Sequence, residues 1–557
     1  MKIFHPTKSI MNKNFTRFGA LVGALVLMVS CNNDDSSVNT PDVQEKIILN
    51  TDSQSLNQRI KFDNSGVLNI DLPIAGRDGE DVAGNFPLEL VAEVQPPVYG
   101  NLTLKATHVA INGNYAYVSY NTEGEAYSGA IDVIDISNPA VPQLVMQAVL
   151  PDTDISSVSY DNGVLYVAGA ASIDAFPELD SPAFTAAMTL SNGLLSTNYT
   201  QTTIPGNVGT SVTSSGNNYF AVSGDNGELV KINKSNNQVE ATIPVNDLRA
   251  VGYNSNKVVV LSGTQGVKVY NANNMNQQTT FATSQDVASA KRTIDFLGNN
   301  TLLVAEGYNG LGVYNYNSGN KTQTINVPTF VEGVDSSDIT TNAVSVNDDK
   351  VYIANGGAGL YIYENGNGNQ GLNIMGSINL NGSCNYVVSK DKYIFAAMGN
   401  GGLKIARIMT NVQTIDCTDF PTYNGSSWLN VNSNQTKEYQ GSASLQGVNV
   451  NANSSLTFCG SLSVSQGLNV NSNGTFYMKG SLAQGQANNP WLSLNVNSNA
   501  VLRIEGSVVV YGNLVLNSNS TLEFVGSGST ITVYGNVTKG NNVTITGEYT
   551  DTFNNVN

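Results

Sequence analysis

Residues 257–271 read KVVVLSGTQGVKVYN: an apolar run closing in small residues, a turn, and a Gly-led second strand. β-Branched residues on both sides of a Gly-containing turn mark two short paired strands. The pair recurs along the chain. Its first member returns as YAYVSY, VLYVAG, YFAVSG, TLLVAEG, KVYIANG and YIFAAMG. Its second returns as GAIDVIDI from Gly129, ASIDAF from Ala171, GELVKIN from Gly227, GLGVYN from Gly310, GLYIYE from Gly359 and GLKIAR from Gly402. From Gly227 the intervals are 39, 44, 49 and 43 residues. Ala171 to Gly227 spans 56, which places an insertion in the second unit around Pro177 to Asn198.

A period of roughly 40–50 residues with several short strands per unit is the sign of a β-propeller. Seven units between residues 86 and 408 predict seven blades. The last unit stops after GLKIAR without a fourth strand. Pro87 to Val94, ahead of the first unit, is able to supply it. Such closure would satisfy edges that a ring of sheets otherwise leaves unpaired.

The first unit resembles the LVIVD-repeat family. Tyr117-Val118-Ser119, Gly129 to Pro139 and Pro142 to Val145 follow its order of strand, hydrophobic–Asp–hydrophobic core, Ser-x-Pro turn and strand. Later units keep the strands and lose the Asn-Pro turn, so the close match covers about 45 residues. The resemblance implies an extracellular β-propeller of bacteria or archaea, and no shared chemistry travels with it.

A second periodicity starts near Trp428. Leu429-Asn-Val-Asn-Ser-Asn434 recurs from Val448, Leu468 and Leu494, with a variant from Leu514, at intervals of 19, 20, 26 and 20 residues. Gln484 to Trp491 absorbs the long step. Gly460-Ser461, Gly480-Ser481, Gly506-Ser507 and Gly526-Ser527 follow in step. About 20 residues per coil predicts a parallel β-helix, or solenoid. Asn tolerates left-handed backbone at corners and can stack on Asn of the next coil.

Composition agrees. The chain has 557 residues, beyond the roughly 100–200 of one domain, and only 12% are charged. Helix-forming residues are scarce, while Gly (53) and Tyr (25) are abundant, so an all-β protein is expected. The organisation read from sequence is a leader over 1–30, a lipidated tether with a small β element over 31–85, the propeller over 86–408, a junction over 409–424 and the solenoid over 425–557.

The leader is basic (Lys2, Lys8, Lys13, Arg17) and then apolar from Phe18 to Val29. That run is shorter than the roughly 20 residues that span a bilayer and suits a secretory signal. Leu27-Met28-Val29-Ser30-Cys31 resembles the lipobox of bacterial lipoproteins. By that resemblance Cys31 is diacylated and anchors the mature chain, several acyl chains giving stable attachment. Asn32 to Ser37 resembles the short acidic signal that sends Bacteroidota lipoproteins to the outer face of the outer membrane. Without the leader the formal charge is -21, which argues against nucleic-acid binding.

Candidate chemistry is sparse. His108 is the one histidine beyond the leader, and no CxxC pair exists, so neither a metal nor a cofactor is expected. Cys417 and Cys459 could form a disulfide clamping the first coil, leaving Cys384 buried. Asp63 to Gly66 and Arg77 to Asp81 are calcium-like in composition only and read as turns. Aligning the blades' first strands puts Thr107, Ser156, Thr210, Arg249, Arg292, Asn342 and Asn385 in one ring at the channel mouth. Either these are solvated polar residues, or the ring binds an anionic group through its two Arg forks. The expectation is a non-catalytic surface lipoprotein that binds outer-membrane or surface proteins as an accessory subunit. The rivals are glycan binding through Tyr, Trp428 and Trp491, and a carboxylate glycosidase or lyase.

Overall fold

Seven antiparallel sheets of at least four strands each form the blades of a β-propeller, and parallel coils form a solenoid after it. The computed structural model describes residues 46–68, 83, 84, 86–124, 126–285, 290–366, 371–409, 417–489 and 491–556. Cys31, the leader, the export-signal segment and Arg77 to Asp81 lie outside them.

The blades' innermost strands are Lys105–Asn112, Thr153–Asp161, Gly209–Ser215, Leu248–Asn254, Ile294–Leu297, Ala343–Asn347 and Tyr386–Lys390. Each touches the innermost strand of the next blade, and the seventh touches the first. The ring closes with Leu88–Val94, which pairs antiparallel with Leu403–Ile408 as the fourth strand of blade 7. Apolar layers between neighbouring blades hold the ring together. In blade 4, Val258 and Val260 pack toward blade 3, while Val259 and Leu261 pack toward blade 5. A strand covered on both faces carries no polar alternation, which is why KVVVLS is continuous. Full burial of each such side chain contributes about 1.5–3 kcal/mol.

Three features differ from the sequence reading. ASIDAF is not the third strand of blade 2: Ala183–Thr189 is, paired with Val164–Ala171. Residues 172–182 are turns, since Ser172 and Asp174 favour local hydrogen bonds and Pro177 has no ladder donor. The stretch read as a tether with a small β element joins the propeller from residue 46 onward. Ile48–Asn50 pairs with the outer strand of blade 1, and Ile60–Lys61 and Gly66–Leu68 pair with the closing strand. Gly526-Ser527 is a turn outside the Gly ladder, because Ser507 pairs with Thr530 instead.

The solenoid stacks Trp428–Val431, Gly447–Val450, Leu468–Val470, Ser493–Val496 and Asn513–Leu516 in one parallel sheet. Asn434, Asn453, Asn473, Asn499 and Asn519 turn its corners at φ 62, 57, 60, 59 and 62°. Asn side chains ladder from coil to coil: Asn449 donates to Asn430 at 2.9 Å, Asn469 to Asn449 at 3.0 Å and Asn495 to Asn469 at 2.9 Å. A second ladder joins Asn451, Asn471, Asn497 and Asn517. Gly441, Gly460, Gly480 and Gly506 stack so closely that a Cβ on Gly480 would meet the Gly460 carbonyl at 2.1 Å. Cys417 and Cys459 are disulfide-bonded, and Cys384 is a buried free thiol.

The solenoid lies against blade 7. The residues that lengthen its third step bridge to the segment before the closing strand: Val67 N–H donates to Gly485 at 2.9 Å and Ala487 N–H to Ser65 at 2.7 Å. Asp63 and Asn64 are spent there, Asp63 accepting from Asn488 and Asn64 donating to Glu93. Glu89 of the closing strand, 0% exposed, takes Arg407 from blade 7 and the Tyr511 hydroxyl from the solenoid at 2.8 Å.

Candidate binding face and channel

In an antiparallel blade the connections from second to third strand and from fourth strand to the next blade emerge on one side. On that side a cavity of about 620 Å³ opens at the channel mouth. Thr107, Ser156, Thr210, Arg249, Asn342 and Asn385 line it together. Four reach it by the same device. The innermost strands of blades 1 to 4 each bulge, and Thr107, Ser156, Thr210 and Arg249 are the extra residues. A bulge re-aims its side chain, which strict alternation cannot anticipate.

These side chains also staple neighbouring blades. Thr107 donates to the Ile155 carbonyl and Thr210 to the Leu248 carbonyl, both at 2.8 Å. Arg249 donates to Ala290 and Asn342 to Cys384, both at 3.2 Å. Each acceptor immediately precedes a mouth-lining residue of the next blade.

Arg292 is not at the mouth. It is 1% exposed, at φ 53°, and its Nε donates to the Ala305 carbonyl at 3.0 Å. A left-handed residue reverses the alternation, so the preceding Lys291 enters the channel instead. Its ammonium bonds the carbonyls of Thr107 and Ser156 across the ring and lies 5.3 Å over the Tyr386 ring. Tyr386 in turn stacks on His108 at 3.7 Å. These three side chains meet between the mouth and a second cavity of about 310 Å³, which His108, Tyr386 and Asp295 help line. Burial lowers Lys291 to about 7. Burial, then the nearby Lys291 charge, holds His108 well below its usual value, and burial raises Asp295 to about 6. Arg249 is ion-paired to Asp247 at 2.7 Å. With one Arg paired and the other buried, the two-Arg fork read from the sequence is not assembled.

The buried carboxylates are committed to structure. Glu93 pairs with Lys404 at 2.5 Å, Asp132 with Arg59 at 2.5 Å and Glu306 with Lys321 at 2.7 Å, while Glu89 pairs with Arg407. Among the described residues no group of His, Cys, Asp or Glu is arranged to hold a metal ion. No described helix is long and apolar enough to cross a membrane.

The loops around the mouth expose large apolar side chains that the repeat pattern gave no reason to single out. Val98, Leu102, Ile173, Val208, Tyr308 and Phe330 are all exposed there, Phe330 to 77%. Toward the opposite side the comparable ones among the described residues are fewer: Val141, Val239 at the start of the outer strand of blade 3, and Ile374 on the outer strand of blade 6. Trp428 lies over Gly447, and Trp491 is 89% exposed on the solenoid.

Fold and face together define a closed β-propeller fused to a β-solenoid. The LVIVD repeat family matches residues 105–148, the first blade, and so extends to part of one of the seven. No curated protein matches the chain. Solved propellers align at low identity. The RRP9 WD40 repeats match at 12% identity and TM-score 0.43, covering 56% of this chain and 97% of that one. BamB from Moraxella catarrhalis matches at 11% and 0.37, covering 62% and 97%. The computationally designed Ika8 protein matches at 12% and 0.37, covering 55% and 96%.

Proposed function

We propose that the chain is a non-catalytic protein-binding platform, anchored through lipid on Cys31 at the cell surface and serving as an accessory subunit of an outer-membrane complex. The observation that carries the binding role is the excess of exposed large apolar side chains on the loops of one propeller face. An excess of exposed apolar side chains on one face is what a protein partner can cover, whereas an even scatter over both faces would need no explanation. The channel offers less for catalysis: its cation bonds backbone carbonyls, and its carboxylate, Asp295, accepts from the Phe296 and Val346 N–H groups. Surface anchoring draws its support from the lipobox resemblance and the acidic segment after it. Glycan binding has less support, since Trp428 is packed on its own chain and, among the described residues, Trp491 has no second stacking ring.

Gentle detergent extraction followed by affinity purification tests this. The expected result is co-purification with an integral membrane protein, lost when Phe330 and Tyr308 are both changed to Ser. Recovery as a lone protein, or turnover of a glycan in a hydrolase panel, would contradict it.

A further inference from the structure

We propose that the partner presents a basic polypeptide segment, with Lys or Arg set among apolar side chains, to the mouth face of the propeller. This rests on the platform reading above and specifies its partner. The apolar side chains there are interleaved with exposed carboxylates: Asp174 and Asp180 on blade 2, Asp225 on blade 3, and Glu332, Asp335 and Asp338 on the long loop before blade 6. None of the six is in an ion pair among the described residues.

Apart from Lys61, exposed at the rim opposite Glu93, the cations near this face are taken. Lys105 is held by Glu123, Lys46 by Glu178 and Arg249 by Asp247, and Lys291 is turned into the channel. Overall acidity does not account for the pattern, because the opposite face is mixed. There Lys234, Lys257, Lys350 and Lys390 stand among Asp348, Asp349 and Asp391. One propeller face is therefore apolar in its loops and net negative, and the other carries Lys and Asp in balance.

Such a face attracts cationic partners and repels acidic ones, with an attraction that salt weakens. The exposed Phe330 and Tyr308 rings add to it, since an aromatic face also favours Lys or Arg. Phe330 shares its loop with Glu332, Asp335 and Asp338, so apolar contact and charge would act on one segment. Asp338 lines the mouth cavity as well, which places the negative charge at the concave centre.

The test is an array of synthetic peptides of random sequence probed with the detergent-solubilised full-length protein. Bound peptides should combine Lys or Arg with apolar residues and weaken about tenfold or more on moving from low to high salt. Neutralising the face by D174N, D180N, E332Q, D335N and D338N together should weaken them to a similar extent. These isosteric changes keep the turn that Asp335 caps, because Asn can accept the same Ser337 N–H. The matching set D348N, D349N and D391N on the opposite face should change nothing. Neutral or acidic bound peptides, or equal losses from both sets, would overturn the basic partner and leave the platform standing. Failure to bind any peptide would remove both.

Discussion

Replacing Glu89 with Ala strikes the point where ring closure and solenoid docking meet. The carboxylate is fully buried and holds Arg407 of the neighbouring strand and the Tyr511 hydroxyl of the solenoid. Removing one partner of a buried ion pair costs about 3–5 kcal/mol, because the remaining charge stays desolvated. An orphaned buried hydroxyl adds about 1–3 kcal/mol. The Arg407 side chain is 20% exposed and can recover some water, so the lower part of the sum, about 4 kcal/mol, is expected. Tyr511→Phe leaves the ion pair intact and should cost about 1.5–3 kcal/mol, the worth of one hydrogen bond to a charged group. Urea unfolding followed separately in each body distinguishes these. Both Trp residues, Trp428 and Trp491, lie in the solenoid, so Trp emission reports that body. Far-UV circular dichroism reports the whole. Glu89→Ala should lower both transitions, and Tyr511→Phe mainly the Trp transition. A loss below about 1 kcal/mol for Glu89→Ala, or one no larger than for Tyr511→Phe, would refute the reasoning.

Gly480→Ala should destabilise the solenoid by more than about 2 kcal/mol in the same assay, since φ is 127° and the new Cβ collides with the Gly460 carbonyl. Reducing the Cys417–Cys459 bond, which spans 42 residues, should lower the Trp transition by about 4 kcal/mol on the chain-entropy estimate, with Cys417→Ser reproducing the loss. Lys291 gives a pH dependence of known sign. Its folded value is about 7 against 10.5 unfolded, so between those values the unfolded chain binds the extra proton. The Lys291 contribution to stability should therefore rise with pH across that window, by up to about 1.4 kcal/mol per unit, and be least below pH 7. Lys291→Met should flatten the rise between pH 7 and 10 in urea midpoints.

Much of this architecture was legible because both bodies repeat. A strand buried on two faces cannot hide its apolar run, so KVVVLS and its counterparts located every blade. The missing partner of GLKIAR pointed to Leu88–Val94 for the same reason, an unpaired edge being costly. The Asn corners were legible from their chemistry. What escaped the sequence was local backbone geometry. Arg292 was aligned on regular alternation, and one residue at positive φ exchanged it for Lys291. In blade 2 the Gly-led marker is absent, and ASIDAF imitated it while Ala183–Thr189 formed the strand. Residues 46–68 show in sequence only a tether with a small β element, because their partners lie far along the chain, on blades 1 and 7 and on the solenoid loop. The exposed apolar side chains of the mouth face were invisible for a different reason: they come from separate loops with no common spacing.

The most direct measurement of the platform reading is cross-linking in the native membrane from a photoreactive residue placed at Phe330, Ile173 or Val141 in turn. Phe330 and Ile173 belong to the mouth face and Val141 to the opposite one. Adducts with one and the same protein from the first two positions, and none from Val141, are predicted. Adducts from Val141 alone, or equally from all three, would contradict it.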